Sequence, residues 1–393
     1  MPNIILADDW GGSNYWYKML PLCFTKPIAQ LRIGYDTISE KWQHALGGTI
    51  SYHSQAYLSS KYPTNLMDDN WLIKACYLPY NGLANQVGEL GVNQALMDGD
   101  ELVAIRFAGQ QIPQTLEGFV TVPLTSEPFK IAEIWDLFQK NGIALNLDFL
   151  RYQRGNIAQI VPQNNTIIGN VNQLFVAYDA VVEGVTFNTK KGPIFIDSEA
   201  VVMEGAMLRG PLYIGANATI KMGAKIYGDT TIGPHCKVGG EIGNSIFQAY
   251  SNKGHDGYLG NSLIGEWCNL GADTNSSNLK NNYGNVSLWD YKNQQMQKQQ
   301  LQFCGLIMGD YSKAGINTMF NTATCVGVSC NIFGGGFPQK HIPSFSWGGA
   351  NGFENFRFDK ALEAANNMMK RRDKALTEQD VEILQSINQL SYK

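Results

Sequence analysis

Charge is scarce in this chain. Only 16% of its residues are Asp, Glu, Lys or Arg, and the formal net charge is -4. That balance excludes a general nucleic-acid-binding surface, which would be strongly basic. No apolar run reaches membrane-spanning length. The opening MPNIILADDWGG has neither a basic stretch nor an extended apolar core, so no secretory leader is expected. The seven cysteines (23, 76, 236, 268, 304, 325 and 330) never stand at CxxC spacing. A reduced, cytoplasmic protein is therefore expected, without a zinc knuckle or a disulfide framework. GxGxxG and Walker patterns are also missing. Glycine is plentiful, with 41 residues, which suits turns and sheets more than long solvated helices.

The glycines accompany a strict period. Steps of six from Ile196 land on Val202, Leu208, Ile214, Ile220, Ile226, Ile232 and Val238, all branched aliphatics. The fifth position of each hexad is small in most cases (Ala200, Ala206, Ala218, Ala224, Cys236), and Gly215, Gly233 and Gly239 follow their aliphatics directly. A helix repeats near 3.6 and a half-buried strand at 2, so neither explains sixes. A coil that turns a corner every hexad does, with one aliphatic pointing inward per side. Val176 and Val182 precede the run; Tyr258, Ile264 and Leu270 resume it, and Met308, Ala314, Phe320, Val326 and Ile332 close it. Three hexads per triangular coil predict a left-handed parallel β-helix over residues 160–345. On this count Tyr258 points inward. Two stretches break the period, 239–257 and 275–303, and both are expected to be loops with a function.

Residues 1–155 read as an α/β domain. NIILADD is a short apolar run ending in two acids, ELVAIRF and VTVPL suggest further strands, and KIAEIWDLFQKNG has helical spacing ending in Asn-Gly, a C-cap signal. After the repeat, residues 352–393 read as a helical tail: FDKALEAANNMMKRR is amphipathic, and Thr377 with Asp380 forms a capping box for EQDVEILQSINQL.

The break YSNKGHDGYLG (250–260) contains His255, one of only five histidines, between Gly254 and Gly257. A neutral imidazole on an accessible turn can take a proton from an attacking amine or hydroxyl, and Lys253 can hold an anionic group. Asn282 and Tyr283, in NNYG, offer an amide and a phenol to sugar hydroxyls or a phosphate. Lys221, Lys225 and Lys237 are candidates for phosphate contacts from the coil wall, though solvated corners explain each singly. Asn269 precedes an inward Leu and is either a ligand or a member of an asparagine ladder. In the first domain, Lys26, Arg32 and Lys41 concentrate near the first strand, where an α/β domain places a nucleotide. Asp8 and Asp9 at that strand's end are candidates to hold Mg²⁺ through a substrate phosphate.

The chain resembles bacterial sugar nucleotidyltransferases fused to a hexapeptide acyltransferase, in particular the bifunctional N-acetylglucosamine-1-phosphate uridyltransferase/glucosamine-1-phosphate acetyltransferase family. LPLCFTKPIAQLRIGYDTISEKW, KMGAKIYGDTTIGPHCKVGGEI, YSNKGHDGYLGNSLIGEWCNLGADTNSSNLKNNYG and GINTMFNTATCVGVSCNIFGGGFP carry the likeness. The family's S-K-x-x-H-x-x-Y-L-G-D loop places His255 on the acetyl-transfer base, Tyr258 on the tyrosine and Ser251 on the serine. Asn269 falls on a pocket asparagine, and Asn282-Tyr283-Gly284 stands for N-Y-D-G without its acid. The lysine is displaced by one, since Asn252 holds its slot and Lys253 follows. The glycine-rich L-x-x-G-x-G-T-R-M…P-K signature is replaced by NIILADDWGGSNYWYKMLPLCFTKPI. The resemblance implies acetyl-CoA as cosubstrate, an amino sugar phosphate as acceptor, an NTP with Mg²⁺ for the first domain, and a homotrimer.

Three other readings follow from the same residues: a nucleotidyltransferase alone, a non-catalytic sugar-nucleotide sensor, and a zinc β-helix of the gamma carbonic anhydrase type. The last would use His235, His255 and His341, although their spacing lacks the short His-x4-His pair.

Overall fold

The computed structural model describes residues 3–153 and 158–390. Its contacts divide the chain into two compact units, one made of Met1–Leu31 and Asp36–Ile134, the other of Arg32–Tyr35 and Trp135–Lys393. The boundary expected at 155 falls outside the described residues.

The first unit is built on a six-stranded sheet. Its strands are β1 (Asn3–Ala7), β2 (Thr49–His53), β3 (Asp69–Lys74), β4 (Gln94–Asp98), β5 (Glu101–Ala108) and β6 (Val120–Pro123), in spatial order 2-1-3-5-4-6. β1 is wholly buried and parallel to both neighbours, which suits its unbroken NIILA. β2 and β3 both follow β1 in the chain but lie on opposite sides of it, so the strand order reverses there. At such a switch point a crevice opens beyond the carboxyl ends of the strands. Helix α1 (Ile38–Leu46) starts at a complete capping box: Thr37 Oγ1 accepts from the Glu40 amide at 3.1 Å, and the Glu40 carboxylate accepts from the Thr37 amide at 2.7 Å.

The second unit is a left-handed parallel β-helix with three sheets, of eight, nine and ten strands. In the regular coils Val202 pairs with Ile220, Leu208 with Ile226 and Ile214 with Ile232, each partner one full coil of 18 residues further on. All eight hexad aliphatics from Ile196 to Val238 are at most 1% exposed and belong to one continuous core. The closing series pairs equally inward, Ile264 with Met308 and Leu270 with Ala314.

Residues 239–257, expected to be a loop, are instead a shortened coil with strands at Glu241–Gly243, Ile246–Phe247 and Asn252–Lys253. The shortening shifts the count by one. Leu259, not Tyr258, pairs with Ile242 and is buried, so Tyr258 faces outward. The break at 275–303 is an excursion carrying a hairpin, Ser287–Asp290 against Gln295–Lys298. KIAEIWDLFQKNG becomes helical only at Asp136–Gln139, and its Asn-Gly opens helix α2 (Asn141–Gln153) instead of closing a helix. The tail forms α3 (Phe358–Lys370) and α4 (Glu378–Leu390), with the Thr377–Asp380 box in place. All seven cysteines are free and buried. Among the described residues no helix is long and apolar enough to cross a membrane.

Candidate functional site

Each unit offers a candidate site of its own. In the first, the chain leaves β1 through Asp8 and Asp9 into a tight turn at Gly11 and Gly12, whose φ angles of 64° and 82° favour glycine. A cavity of about 690 Å³ opens there, at the switch point, lined by Trp10, Gly11, Gly12, Tyr15, Lys74 and Glu101 among others. Glu101 collects the polar groups of the wall. It accepts from Tyr15 Oη at 2.7 Å and Lys130 Nζ at 2.5 Å, with Lys74 Nζ at 3.4 Å. Burial pushes its carboxyl up, but the bonds from Lys130 and Tyr15 and the field of Lys74 outweigh it, leaving Glu101 below the usual range.

The residues chosen from the sequence do not line this cavity. Lys26, Arg32 and Lys41 are buried, at 3%, 9% and 1% exposure. Lys41 Nζ sits 5.4 Å from the Tyr80 ring centroid. Arg32 donates to the Tyr35 carbonyl, and its backbone exchanges hydrogen bonds with the Gln248 side chain at 2.6 and 3.2 Å. The expected Mg²⁺ pair does not fit either. Asp8 accepts from the Ile28 amide and from Ser54 Oγ inside the fold, and burial raises its carboxyl to about 7. Asp9 accepts from the Tyr15 amide at 2.6 Å. The two carboxylates thus serve the folding of separate segments. The groups that do face the cavity, Lys74 and Glu101, were missed. The available signals were a lysine ending an apolar strand and the Gly-Gly just after the first strand.

In the second unit, His255 is exposed on the turn Gly254–Gly257, between the last strand of the shortened coil and the first strand of the next, Tyr258–Gly260. Lys253 explains how that turn is held. Its backbone partner is Val238, so its side chain takes an inward slot of the prism and is fully buried. The ammonium bends back to donate to the carbonyls of His255 at 2.9 Å and Asp256 at 3.0 Å. Burial lowers its pKa to about 8 despite the opposing pull of Asp256 and Asp273. Lys253 is therefore a brace and cannot reach an anion outside. Ser251 is likewise internal: its hydroxyl donates to the Gly265 carbonyl at 2.7 Å and accepts from the Cys268 amide at 2.8 Å.

Tyr258 faces a groove of about 520 Å³ with Lys191, Arg209, Tyr227, Glu241 and Asn261. Its hydroxyl accepts from Asn278 Nδ2 at 3.0 Å, and burial pushes its pKa above the usual value, so it stays protonated. An adjoining hollow of about 250 Å³ shares Arg209 and Tyr227 and adds Lys225 and Met207. Asn269 is a half-buried rung of an outward ladder, between Asn252 and Lys313. Lys237 occupies the rung before Asn252. Asn282 and Tyr283 ride on the excursion, where Tyr283 is 70% exposed and Asn282 Oδ1 accepts from the Gly284 amide at 3.0 Å. Neither is hydrogen-bonded to the His255 turn. Arg209, Tyr227 and Asn261 were not foreseen, because their common outward face appears only once the register is known.

The three histidines of the zinc reading do not converge within the chain. His235 stacks on Tyr250 at 4.6 Å, and His341 stacks on Trp289 at 3.8 Å with its pKa lowered to about 4 by burial. No group of three or more metal-ligating side chains is assembled among the described residues.

Comparison with known proteins bears on the first unit most directly. Residues 4–157 match the family described as sugar nucleotidyl transferase. The chain is also 34% identical, over 92 residues, to the bifunctional protein GlmU of Methanocaldococcus jannaschii; the match covers 23% of this chain and 22% of that protein. The chain thus spans about a fifth of that relative's length, and it resembles the GlmU family. Among solved structures, the polysialic-acid-specific acetyltransferase NeuO covers 53% of this chain and 94% of its own, with TM-score 0.29 and 12% identity. The Arabidopsis UDP-N-acetylglucosamine acyltransferase covers 55% and 80%, with TM-score 0.30 and 13% identity.

Proposed function

We propose that the chain is a transferase of two parts. The first unit binds a nucleotide and a sugar phosphate in the crevice at the carboxyl ends of β1 and β3. The second transfers an acetyl group from acetyl-CoA to the amine of an amino sugar phosphate, and the protein works as a homotrimer. The family match over residues 4–157 supports the first part. The second rests on one observation: an exposed imidazole on a glycine-bounded turn whose carbonyls are pinned by a buried lysine.

In this reading His255 takes a proton from the substrate ammonium, and the neutral amine attacks the thioester carbonyl. The adduct's nitrogen releases its second proton to solvent, and collapse expels the CoA thiolate, which takes the proton held by His255, leaving an amide. A positioned base contributes about 10²–10⁴-fold to such a step. The polar groove at Arg209, Tyr227 and Tyr258 offers cation, aromatic face and hydroxyl to a phosphorylated sugar ring. Lys74 in the first unit offers a cationic donor to a nucleotide phosphate.

The test is to incubate the full chain with acetyl-CoA and glucosamine 1-phosphate, then follow free thiol and the mass of the sugar. The account expects thiol and N-acetylated sugar phosphate in equal amounts, from a species with the light-scattering mass of three chains. Tight binding of sugar nucleotides with no turnover of any acyl donor would establish the sensor reading instead.

A further inference from the structure

Cations gather on the coil wall next to the His255 turn, and among the described residues no carboxylate forms an ion pair with them. Lys237 points outward from its strand, between Thr219 and Asn252 in register. Lys221 lays its side chain across the neighbouring corner. Its Cβ is 3.0 Å from where a β-carbon on Gly239 would stand, and its Cε is 3.9 Å from that of Gly254, the residue preceding His255. The tail supplies the rest. Arg372, just beyond α3, donates through Nη2 to the His235 carbonyl at 3.3 Å and to Asn252 Oδ1 at 3.4 Å. Arg371 precedes it, and Lys374 Nζ lies 5.7 Å from the Tyr250 ring centroid.

Among the described residues none of Lys221, Lys237, Arg371 and Arg372 makes an ion pair. The field of Arg372, followed by burial and by Lys221 and Arg371, pulls the Lys237 ammonium below the ordinary lysine value. Like charges at such a density repel, and an anion set among them relieves the repulsion. Guanidinium groups give bidentate geometry to phosphate oxygens, and ammonium groups add point charge.

We propose that Lys221, Lys237, Arg371 and Arg372 form a phosphate-binding site beside the His255 turn, completed by the carboxyl-terminal tail. The site's part in catalysis rests on acetyl transfer at His255; its existence as an anion site does not. Two phosphates share this chemistry, that of the amino sugar acceptor and those on the adenosine end of acyl-CoA.

Calorimetric titration of the full chain separates them, with glucosamine 1-phosphate in one arm and adenosine 3′,5′-bisphosphate in the other. Losing two charged contacts weakens a phosphate ligand at least about tenfold. The combined Lys237→Gln, Arg372→Gln variant should therefore show that loss for one probe and not the other, identifying the occupant. Affinity in that arm should also fall with added salt. Should the double variant melt early, Lys221→Gln carries the test, because Lys221 makes no hydrogen bond to the tail; it should weaken the same probe severalfold. Binding is read here without turnover, so a failed catalytic reading leaves this result standing. Unchanged isotherms for both probes in every variant, or no binding of either probe to the wild type, would overturn the site.

Discussion

Lys253 holds an interior slot that the preceding coil gives to Val238. Its charge beside His255 suggested a contact with a substrate anion, and the one-residue displacement from the family's lysine is the clue to why the structure places it inside. One step along a strand turns a side chain from the outer face to the inner one. The sequence shows the displacement plainly, but its consequence is hidden, because the shortened coil between Val238 and Leu259 breaks the count of sixes. Burial lowers the folded-state pKa to about 8 from the ordinary lysine value of 10.5. Below pH 8 both folded and unfolded chains carry the proton, and the burial penalty is at its full size. Between about 8 and 10.5 the unfolded chain binds a proton that the folded chain has released, so stability rises with pH. Lys253→Met removes that titration while still filling the prism. Relative to the variant, the wild type should gain up to about 3 kcal/mol in chemical denaturation between pH 7.5 and 10.5. A gap independent of pH would place the ammonium in water. The variant's turn should also exchange its amide hydrogens faster at residues 255–257.

At the scale of elements, the coil is the part best read in advance. Eight aliphatics in sixes define it, and small residues at the corners explain how chain segments stack so closely. Gly233 is the tightest of these corners. A β-carbon there would stand 1.8 Å from the Gln248 carbonyl oxygen, and backbone cannot move aside as a side chain can. Gly233→Ala should therefore destabilise the β-helix by about 3 kcal/mol or more, the upper range for overpacking. Gly223 is the control: it has φ of 68° but nothing within 4 Å, so Gly223→Ala should lose only about 1 kcal/mol, from backbone strain. Equal melting temperatures for the two variants would contradict the stacking account. The helix expected over KIAEIWDLFQKNG forms only in part, for a different reason. Its apolar spacing is real, but Phe129–Lys130 pairs with Tyr77–Leu78, and that pairing holds the segment extended before the helix begins.

Over the whole molecule, the sequence told the architecture of the second unit better than the layout of the first. A rare histidine between glycines is visible without coordinates, and the period that frames it narrows the fold to one architecture. For the first unit, cation content was read as exposure. Lys26, Arg32 and Lys41 are instead buried, and the crevice belongs to Lys74, Tyr15 and Glu101, which lie far apart in sequence and meet only across the sheet. The outward groove at Arg209, Tyr227 and Tyr258 was illegible for the same reason, since it is assembled from successive coils. The most direct test of the central claim is single-turnover acetyl transfer by the intact protein, with wild type and His255→Ala compared across pH 6 to 9. The account predicts a rate lowered at least about 100-fold in the variant at the pH where the wild type is fastest. Transfer at the wild-type rate, with the same profile, would contradict it.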